Sequence, residues 1–505
     1  MSKVSLALVN PYSEGRTRVR SPWQHLFHPA NAGRYREAVG SAVDHLVDHL
    51  GETRGRPLTG TTPREAAARV ADVDLDRPLG QGPEALAELS RLWLDDAIWF
   101  HEPTAAAHLN CPVVIPALAA EVFISGVNSS LDTFDQSVGA TFIERHLVDW
   151  TAARVGYDDR ADGVFTTGGT QSNLQALLLA RGQGAAPTDR LRIFASADGH
   201  FSVQKAARML GLGDEAVVAV PVDRSRRMDP AALSTALADC VARGDVPMAV
   251  VATAGTTDFG AIDPLPEVAA LAKAHGAWFN VDAAYGGGLL VSPRRRGWLA
   301  GVELSDSVAI DFHKTWFQPV SCSALVVRDG ATLGHVTWHA DYLNPKDSAH
   351  PNQVDKSLQT TRRFEALKLW MTLRVMGADA IGEHLDTVID LTDAVAAELT
   401  AMPDIDVAAA PQLSTIVFRH APPSLAEEGA LARHNAAIRA ELFDDGRALI
   451  AATRVDGRSY LKLTLLNPMA TVDDILGIVA MVREAGERLQ VDATGAKIET
   501  LAVAR

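Results

Sequence analysis

The chain has 505 residues, a formal net charge of −15 and three cysteines. A chain of this length exceeds what one hydrophobic core supports, so we expect two or three domains. The acidic charge disfavours nucleic acid as a partner. Cys111, Cys240 and Cys322 lie too far apart for a disulfide framework or a thiolate zinc site, and no metal is predicted. Residues 1–20 lack a secretory pattern and no run of about 18 apolar residues could span a membrane, so a cytoplasmic protein without membrane partners is expected.

The first part of the chain, residues 28–104, is predicted to be largely helical. Apolar residues recur at helical spacing between Tyr35 and Leu50, and a second helix is predicted over residues 83–99. Since this part carries no obvious chemistry, we expect residues 1–104 to form a helical dimerisation segment.

Short apolar runs alternate with helical patterns from residue 105 to residue 375. Strands are predicted at residues 163–167, 192–195, 216–220, 248–253, 278–281, 307–310 and 324–327. Helices are predicted between them at residues 171–181, 202–210, 230–243 and 265–274. This alternation predicts an α/β domain with a mostly parallel sheet.

A smaller α+β domain is predicted over residues 376–490. A long helix at 381–402 precedes predicted strands at 415–419 and 460–465 and helices near 426–445 and 471–490. Residues 491–505 are expected to form a tail that frays after Arg488.

Two short motifs, NVDAAYGG and DFHKT, carry the clearest chemistry. Asp282 closes a buried apolar strand, where an ionised carboxylate needs a hydrogen-bonding or cationic partner such as a pyridinium nitrogen. Lys314 follows another apolar strand, where a partly desolvated amine is suited to imine formation. A lone aspartate after a strand is usually a turn residue and a lone lysine is usually solvated. The pair together, with the motifs below, predicts a pyridoxal-phosphate site.

Three further stretches follow predicted strands. The first, TTGGTQSN at residues 166–173, combines small residues with hydroxyls before a helix and is suited to binding phosphate, although an ordinary capped turn is the alternative. It matches neither the GxGxxG nor the P-loop pattern, which disfavours NAD and ATP. His200 follows the next strand and could stack on a flat ring, and Thr257 ends a hydroxyl-rich stretch. Open α/β sheets bind ligands at such carboxyl ends of strands.

Together these motifs resemble the group II pyridoxal-phosphate-dependent decarboxylases, over residues 30–490. The stretches HLNCPVVIPA, VNSSLDTFDQS, HADYLNP and VDKSLQTTRRFEALKLW are most similar to bacterial lysine and diaminobutyrate decarboxylases of siderophore and polyamine pathways. The resemblance implies the pyridoxal-phosphate-dependent transferase-like fold of the aspartate aminotransferase type. It also implies a homodimer with active sites at the interface.

The resemblance implies a role for each matching residue at the cofactor. Lys314 would hold pyridoxal phosphate as a Schiff base, and Asp282 would pair with its pyridine nitrogen. Ala284 would pack against one face of the ring and His200 would stack on the other. Contacts to the phosphate or the ring substituents are implied for Gly169, Thr170, Ser307, His313 and Thr257.

Other residues are predicted to act on the substrate. Tyr342, on a loop expected to be mobile, would donate the proton after carbon dioxide leaves. Asn110 and Cys111 would approach the substrate. Asp132 and Asp135 are predicted to accept a second substrate ammonium across the dimer interface, with helix capping or a surface ion pair as the alternative role.

The reaction implied is conversion of an amino acid to an amine and carbon dioxide. We expect a basic aliphatic L-amino acid, with L-lysine giving cadaverine first and L-2,4-diaminobutyrate or L-ornithine as alternatives. Aromatic substrates are less favoured, because DFHK replaces the NPHK of many relatives and Asn110-Cys111 replaces a Pro-Thr pair. Three alternative functions stay open. The first is an aminotransferase, another lyase or an aldehyde synthase that uses the same cofactor. The others are an NAD-binding oxidoreductase and a non-catalytic assembly protein.

Overall fold

The structure is a computed structural model that describes residues 22–52, 55–80 and 82–503, with the backbone alone for Pro22, Glu52 and residues 491–503. The prediction made for residues 1–20 lies outside these ranges. Among the helices within them, none combines the length and apolar character that a bilayer span requires.

The described residues within the ranges Met1–Glu52 and Ala68–Asp95 make up one compact unit. Its described helices are α1 (Ala32–Glu52), α3 (Gly82–Leu92) and the end of α2 (Pro63–Ala71). A hydrogen bond between the His45 imidazole and the Ser90 hydroxyl joins α1 to α3. The dimerisation role of residues 1–104, like the domain bounds at 104, 375 and 490, stays a prediction.

The second predicted helix ends earlier than expected. The prediction over residues 83–99 is wrong beyond Leu92, where the helix gives way to a 3₁₀ turn. The amide of Trp99 donates to the carbonyl of Pro57 at 3.1 Å instead of to a carbonyl of the preceding helical turn.

A seven-stranded sheet forms the centre of the second unit, which comprises Thr53–Ala67 and Asp96–Arg505. The spatial order is β1-β7-β6-β5-β4-β2-β3, and only β7 runs antiparallel to the others. The strands are β1 (Asp162–Thr166), β2 (Leu191–Ser196), β3 (Val217–Val220), β4 (Val246–Thr253), β5 (Trp278–Ala283), β6 (Ser307–Asp311) and β7 (Ser323–Val327). All seven predicted strands are confirmed, and so is the α/β class with a mostly parallel sheet. Burial on both faces explains why these strands read as short, continuous apolar runs.

Helices cover both faces of this sheet. They are α4 (Ile115–Val127), α5 (Phe134–Ser137), α6 (Gly139–Val155), α7 (Gly169–Gly182), α8 (Ser202–Met209), α9 (Pro230–Ala242), α10 (Leu265–Ala274) and α11 (Ala366–Met376). The start of α9 shows how local chemistry sets a boundary. The Asp229 carboxylate accepts hydrogen bonds from the amides of Ala231 and Ala232, and Pro230 occupies the first helical position.

A four-stranded antiparallel sheet, in the order β10-β11-β9-β8, packs against three helices in the last part of the chain. Its strands are β8 (Ile405–Val407), β9 (Thr415–His420), β10 (Ala451–Val455) and β11 (Arg458–Thr464), and the helices are α12 (Ala378–Ala401), α13 (Glu428–Asp444) and α14 (Val472–Val503). Two of these strands, β8 and β10, were not predicted. The Asp456-Gly457 turn between β10 and β11 was an available hairpin signal. The helix α14 extends to Val503, and the frayed tail expected after Arg488 stays a prediction.

A buried ion pair ties the first strand to its surroundings. The Arg362 guanidinium donates to both oxygens of Glu144 at 2.7 and 3.0 Å, and also to the carbonyls of Phe165 and Leu131. The Glu144 side chain is 0% exposed and that of Arg362 is 3% exposed. The pair therefore holds α6, β1 and the segment before α11 together in a region that excludes water.

We expect Arg362→Leu to lower the free energy of unfolding by about 3–5 kcal/mol, because it leaves Glu144 buried without its cation. Chemical denaturation followed by circular dichroism measures the change. Replacing Glu144 by Leu as well should recover much of the loss. In the control Arg160→Gln the exposed pair with Asp158 is lost, so the midpoint should not move. An unchanged midpoint for Arg362→Leu would contradict the analysis.

Candidate active site

The strand register brings the predicted motifs to one edge of the large sheet. Thr253 at the end of β4 pairs with Asp282 of β5, and Ala283 pairs with Ile310 of β6. A cavity of about 320 Å³ opens at this edge. Its lining residues are Thr167, Gly168, Gly169, Thr170, Gln171, Asn173, His200, Thr253, Gly255, Thr257, Asp282, Ala284, Tyr285, Asp311, His313 and Lys314. Segments that follow five different strands thus converge on a single cavity.

Asp282 lines this cavity, and the residue is only 5% exposed. One oxygen accepts a hydrogen bond from the side-chain amide of Asn173 at 2.8 Å, and the other accepts from the amide of Ala284 at 3.1 Å. The Asn173 side chain is itself oriented by Ser202 and Asn280. A buried carboxylate held by neutral donors and facing a cavity fits a cationic ring nitrogen.

Lys314 lies three residues beyond the end of β6 and reaches into the same cavity. Its Nζ is 2.9 Å from a carboxylate oxygen of Asp311, whose side chain is 3% exposed. The other Asp311 oxygen accepts a hydrogen bond from the Ser323 hydroxyl at 2.5 Å. Asp311 was noticed only as a departure from the NPHK pattern and was given no role. The structure adds it as a second buried carboxylate of the site.

The start of α7 also lines the cavity. The amides of Gln171 and Ser172 donate to the Gly168 carbonyl, whereas the amides of Gly169 and Thr170 precede the first intrahelical bonds and no side chain caps the helix, so they are suited to an anion. A Cβ on Gly169 would meet the Cβ of Ala284 at 3.0 Å and both carboxylate oxygens of Asp311 at 3.2 Å. Glycine is therefore required by close approach, as expected where a backbone must come near a phosphate.

Two histidines border the cavity. Burial lowers the pKa of His200, which favours a neutral, flat imidazole at pH 7, and its Nδ1 accepts from the amide of Ser202 at 3.2 Å. Burial also lowers the pKa of His313, whose Nδ1 lies 2.9 Å from the carbonyl of Cys322. His313 Nε2 is 3.6 Å from Asp311. Thr170 and Thr257 line the cavity as well, so the predicted cofactor residues other than Ser307 share one space.

Ser307 is not among the residues that the structure brings to the cavity. It begins β6, at the amino end of the strand, and its hydroxyl donates to Asn280 at 2.7 Å and accepts from the Trp278 indole at 2.8 Å. At about 3.3 Å per residue, roughly 13 Å separate it from Asp311 at the other end. The prediction that Ser307 reaches the phosphate is therefore wrong.

The predicted substrate residues lie outside the cavity lining of this chain. Tyr342 is 89% exposed and Asn110 is also exposed. Cys111 is buried with its Sγ 3.8 Å from the carbonyl of His313, and burial raises the pKa of the thiol to about 12, so it remains protonated. Their roles stay predictions.

Asp132 and Asp135 make local contacts at the start of α5. An Asp132 oxygen accepts from the Thr133 amide at 2.6 Å, and an Asp135 oxygen accepts from the Thr133 hydroxyl at 2.5 Å. Neither contact caps a helix, because Thr133 is the N-cap residue of α5 and no side-chain cap hydrogen bond forms there. The role of the two aspartates as ammonium acceptors stays a prediction.

Asn173 is a residue of the site to which the sequence assigned no function. It lay inside the TTGGTQSN stretch that was interpreted only as a phosphate turn. Gly169 and Asn173 are four residues apart, so a helix places them on one face. That spacing was the signal that Asn173 would face the same cavity as the turn.

The fold and this cavity define a pyridoxal-phosphate enzyme of fold type I. The family model described as the pyridoxal-dependent decarboxylase conserved domain matches residues 97–421. An L-2,4-diaminobutyrate decarboxylase from Rhizobium meliloti (strain 1021) is 42% identical, over 90% of this chain and 92% of that protein. Another from Acinetobacter baumannii is 37% identical, over 90% and 93%.

A solved structure shares the whole architecture. The glutamate decarboxylase domain of diaminobutyrate-pyruvate transaminase and L-2,4-diaminobutyrate decarboxylase from Vibrio parahaemolyticus superposes with a TM-score of 0.83 and 34% identity, covering 92% of this chain and 99% of that one. The chain belongs to the pyridoxal-dependent decarboxylases. It is an amino-acid decarboxylase whose cofactor is pyridoxal phosphate.

We expect borohydride reduction of the holoenzyme to attach the cofactor permanently to Lys314, because this is the lysine that lines the cavity within the described residues. Peptide mapping by mass spectrometry identifies the labelled residue. The control Lys205→Gln, which changes an exposed lysine of the His200 segment, should label normally, whereas Lys314→Ala should not label. Labelling of any other lysine would overturn the assignment.

Proposed function

We propose that this enzyme decarboxylates L-2,4-diaminobutyrate to 1,3-diaminopropane and carbon dioxide. The observation that carries the proposal is the similarity to two L-2,4-diaminobutyrate decarboxylases, which match 90% of the chain at 42% and 37% identity. The sequence alone favoured L-lysine, with diaminobutyrate as an alternative. The relatives support that alternative better, so lysine and ornithine become the competing substrates.

The contacts of the cavity support specific roles for its residues. When bound, pyridoxal phosphate supplies an electron sink for the electron pair that the departing carboxylate leaves on the substrate. Asp282 would hold the ring nitrogen of the cofactor, and the hydrogen bond from Asn173 keeps its carboxylate in place. Lys314 would hold the cofactor through Nζ, and the Asp311 carboxylate keeps this amine in the cavity.

The remaining cavity residues orient the reactants. The first amides of α7, with Thr170 and His313, bind the phosphate, which fixes one end of the cofactor. The neutral imidazole of His200 offers a flat surface to the ring. These contacts would orient the substrate so that the bond to its carboxylate is the one that the cofactor weakens.

A homodimer is part of the proposal. The outer face of α4 exposes large apolar side chains, among them Ile115 at 78%, Phe123 at 59% and Val127 at 70%. An apolar surface of this kind is typical of a protein interface. We propose that a second copy covers it and that Asp132 and Asp135, just beyond α4, reach the distal ammonium of a substrate in the partner's site.

Substrate preference tests the proposal directly. Measuring kcat/KM for diaminobutyrate, ornithine, lysine, glutamate and aromatic amino acids should rank diaminobutyrate first. Ornithine, one methylene longer, should be about 10- to 200-fold poorer, because one methylene changes binding by about 1–3 kcal/mol. Lys314→Ala serves as the control for uncatalysed release of carbon dioxide. A preference for lysine, glutamate or an aromatic amino acid would contradict the assignment.

Tyr342 is proposed to close over the site and to protonate the substrate carbon. Its exposure, on a loop with Pro345 and Pro351, suits a lid. We expect Tyr342→Phe to bind the cofactor normally but to lose clean amine formation, with some product diverted to aldehyde. Amine and aldehyde yields measure this. The matched control is Trp338→Phe, an exposed aromatic side chain of the same loop, which should leave the products unchanged. Wild-type products from Tyr342→Phe would remove the tyrosine from the mechanism.

A further inference from the structure

The guanidinium of Arg226 contacts three separate segments of the chain. It forms a two-pronged ion pair with Asp198 at 2.8 and 2.9 Å. Its third nitrogen donates to Asp456 at 3.1 Å. The carbon of the guanidinium also lies 4.8 Å from the centre of the Phe259 ring. The Arg226 side chain thus forms a bidentate ion pair, a further hydrogen bond and a cation–π contact at the same time.

Two of these segments adjoin the cofactor cavity, and the third belongs to the smaller sheet. Asp198 lies two residues before His200, in the loop that follows β2, and Phe259 lies two residues after Thr257, in the loop that follows β4. Asp456 forms the turn between β10 and β11, in the smaller sheet. His200 and Thr257 both line the cavity, so Arg226 braces two of its walls against each other and against that turn.

A second set of contacts joins the same partners. The Asp258 carboxylate accepts hydrogen bonds from Thr453 of β10 at 2.6 Å and from Lys462 of β11 at 2.7 Å. The loop that carries Thr257 is therefore attached to the β10–β11 hairpin independently of Arg226. The loop that carries His200 gains its link to the hairpin through Arg226 and Asp198.

The backbone at Arg226 is shaped for this contact. Its φ is +63°, a left-handed conformation that is unfavourable for arginine and that surrounding contacts must maintain. The turn is closed by hydrogen bonds from the Arg226 amide to the Asp223 carbonyl and from the Asp223 amide to the Arg227 carbonyl. The result is that Arg226 points inward with its side chain 15% exposed, while Arg227 makes an exposed pair with Asp223.

We propose that Arg226 is a positioning residue for the cofactor. It fixes the loop that carries His200 relative to the loop that carries Thr257, and so sets the width of the space that receives the ring. The proposal rests on the cofactor site described above and is independent of which amino acid is the substrate. Without the guanidinium, the His200 loop loses its link to the hairpin, and the cofactor is held less tightly and in a less defined orientation.

The test compares Arg226→Gln with Arg227→Gln, a change at the next residue that removes an exposed pair. Pyridoxal phosphate is titrated into resolved enzyme and followed by visible absorbance and by the circular dichroism of the bound cofactor. Arg226→Gln should raise the Kd at least 10-fold and weaken the dichroic band, whereas Arg227→Gln should stay within 2-fold. Arg226→Lys should be intermediate, because an ammonium keeps a charge contact but loses the fork.

The Tm of the cofactor-free proteins separates positioning from simple stabilisation. A lowered Tm for Arg226→Gln with wild-type Kd and dichroism would overturn the proposal.

If Arg226→Gln fails to fold, Asp456→Asn replaces it, since that side chain is 79% exposed and its loss leaves the Asp198 pair intact. A 2- to 5-fold weaker Kd is then expected, against no change for the exposed control Asp214→Asn. A wild-type Kd for Asp456→Asn would overturn the proposal. If the enzyme preferred lysine as a substrate, the proposed substrate would be refuted, but the cofactor Kd values that test the role of Arg226 would be unaffected.

Discussion

The buried carboxylate of Asp282 is the constraint on which the architecture of the site depends. Burying an aspartate to 5% exposure is costly unless its oxygens are hydrogen-bonded. Here the side-chain amide of Asn173 in α7 and the backbone amide of Ala284 are the two donors. The contact from Asn173 holds α7 against the end of β5. Because Gly169 lies one helical turn before Asn173, the helix also sets the spacing between the ring-nitrogen end of the site and its phosphate end, at about 6 Å along the axis.

The parallel sheet brings the other residues of the site to the same cavity as Asp282. Segments that follow five of its parallel strands line the cavity, so His200, Thr257, Asp282 and Lys314 meet although they are distant in sequence. Crowding there also explains the residue choice at position 169. The turn must pass so close to its neighbours that a side chain would collide with them. Charge is balanced in the same small space, where the second buried carboxylate, Asp311, faces the lysine amine.

Much of the fold was predictable because its signals are local. All seven strands of the large sheet were predictable from short apolar runs, and α10 begins and ends where periodicity predicts. β8 is only three residues long, and β10 alternates between partly buried and exposed positions, so neither produces an apolar run. Beyond the end of α3, the amide of Trp99 donates to the carbonyl of Pro57, a contact that no window along the chain reveals.

The sequence by itself determined the class of fold, the cofactor and the segments that bind it, because motif spacing and strand periodicity are properties of neighbouring residues. Only the tertiary structure decided which end of a strand faces the site, and this is why Ser307 lies at the far end of β6 from Lys314. It likewise decided that Arg226 reaches Asp198 and Asp456, which are 28 and 230 residues away. Such contacts form when packing brings separate segments within hydrogen-bond distance, and packing depends on the whole chain.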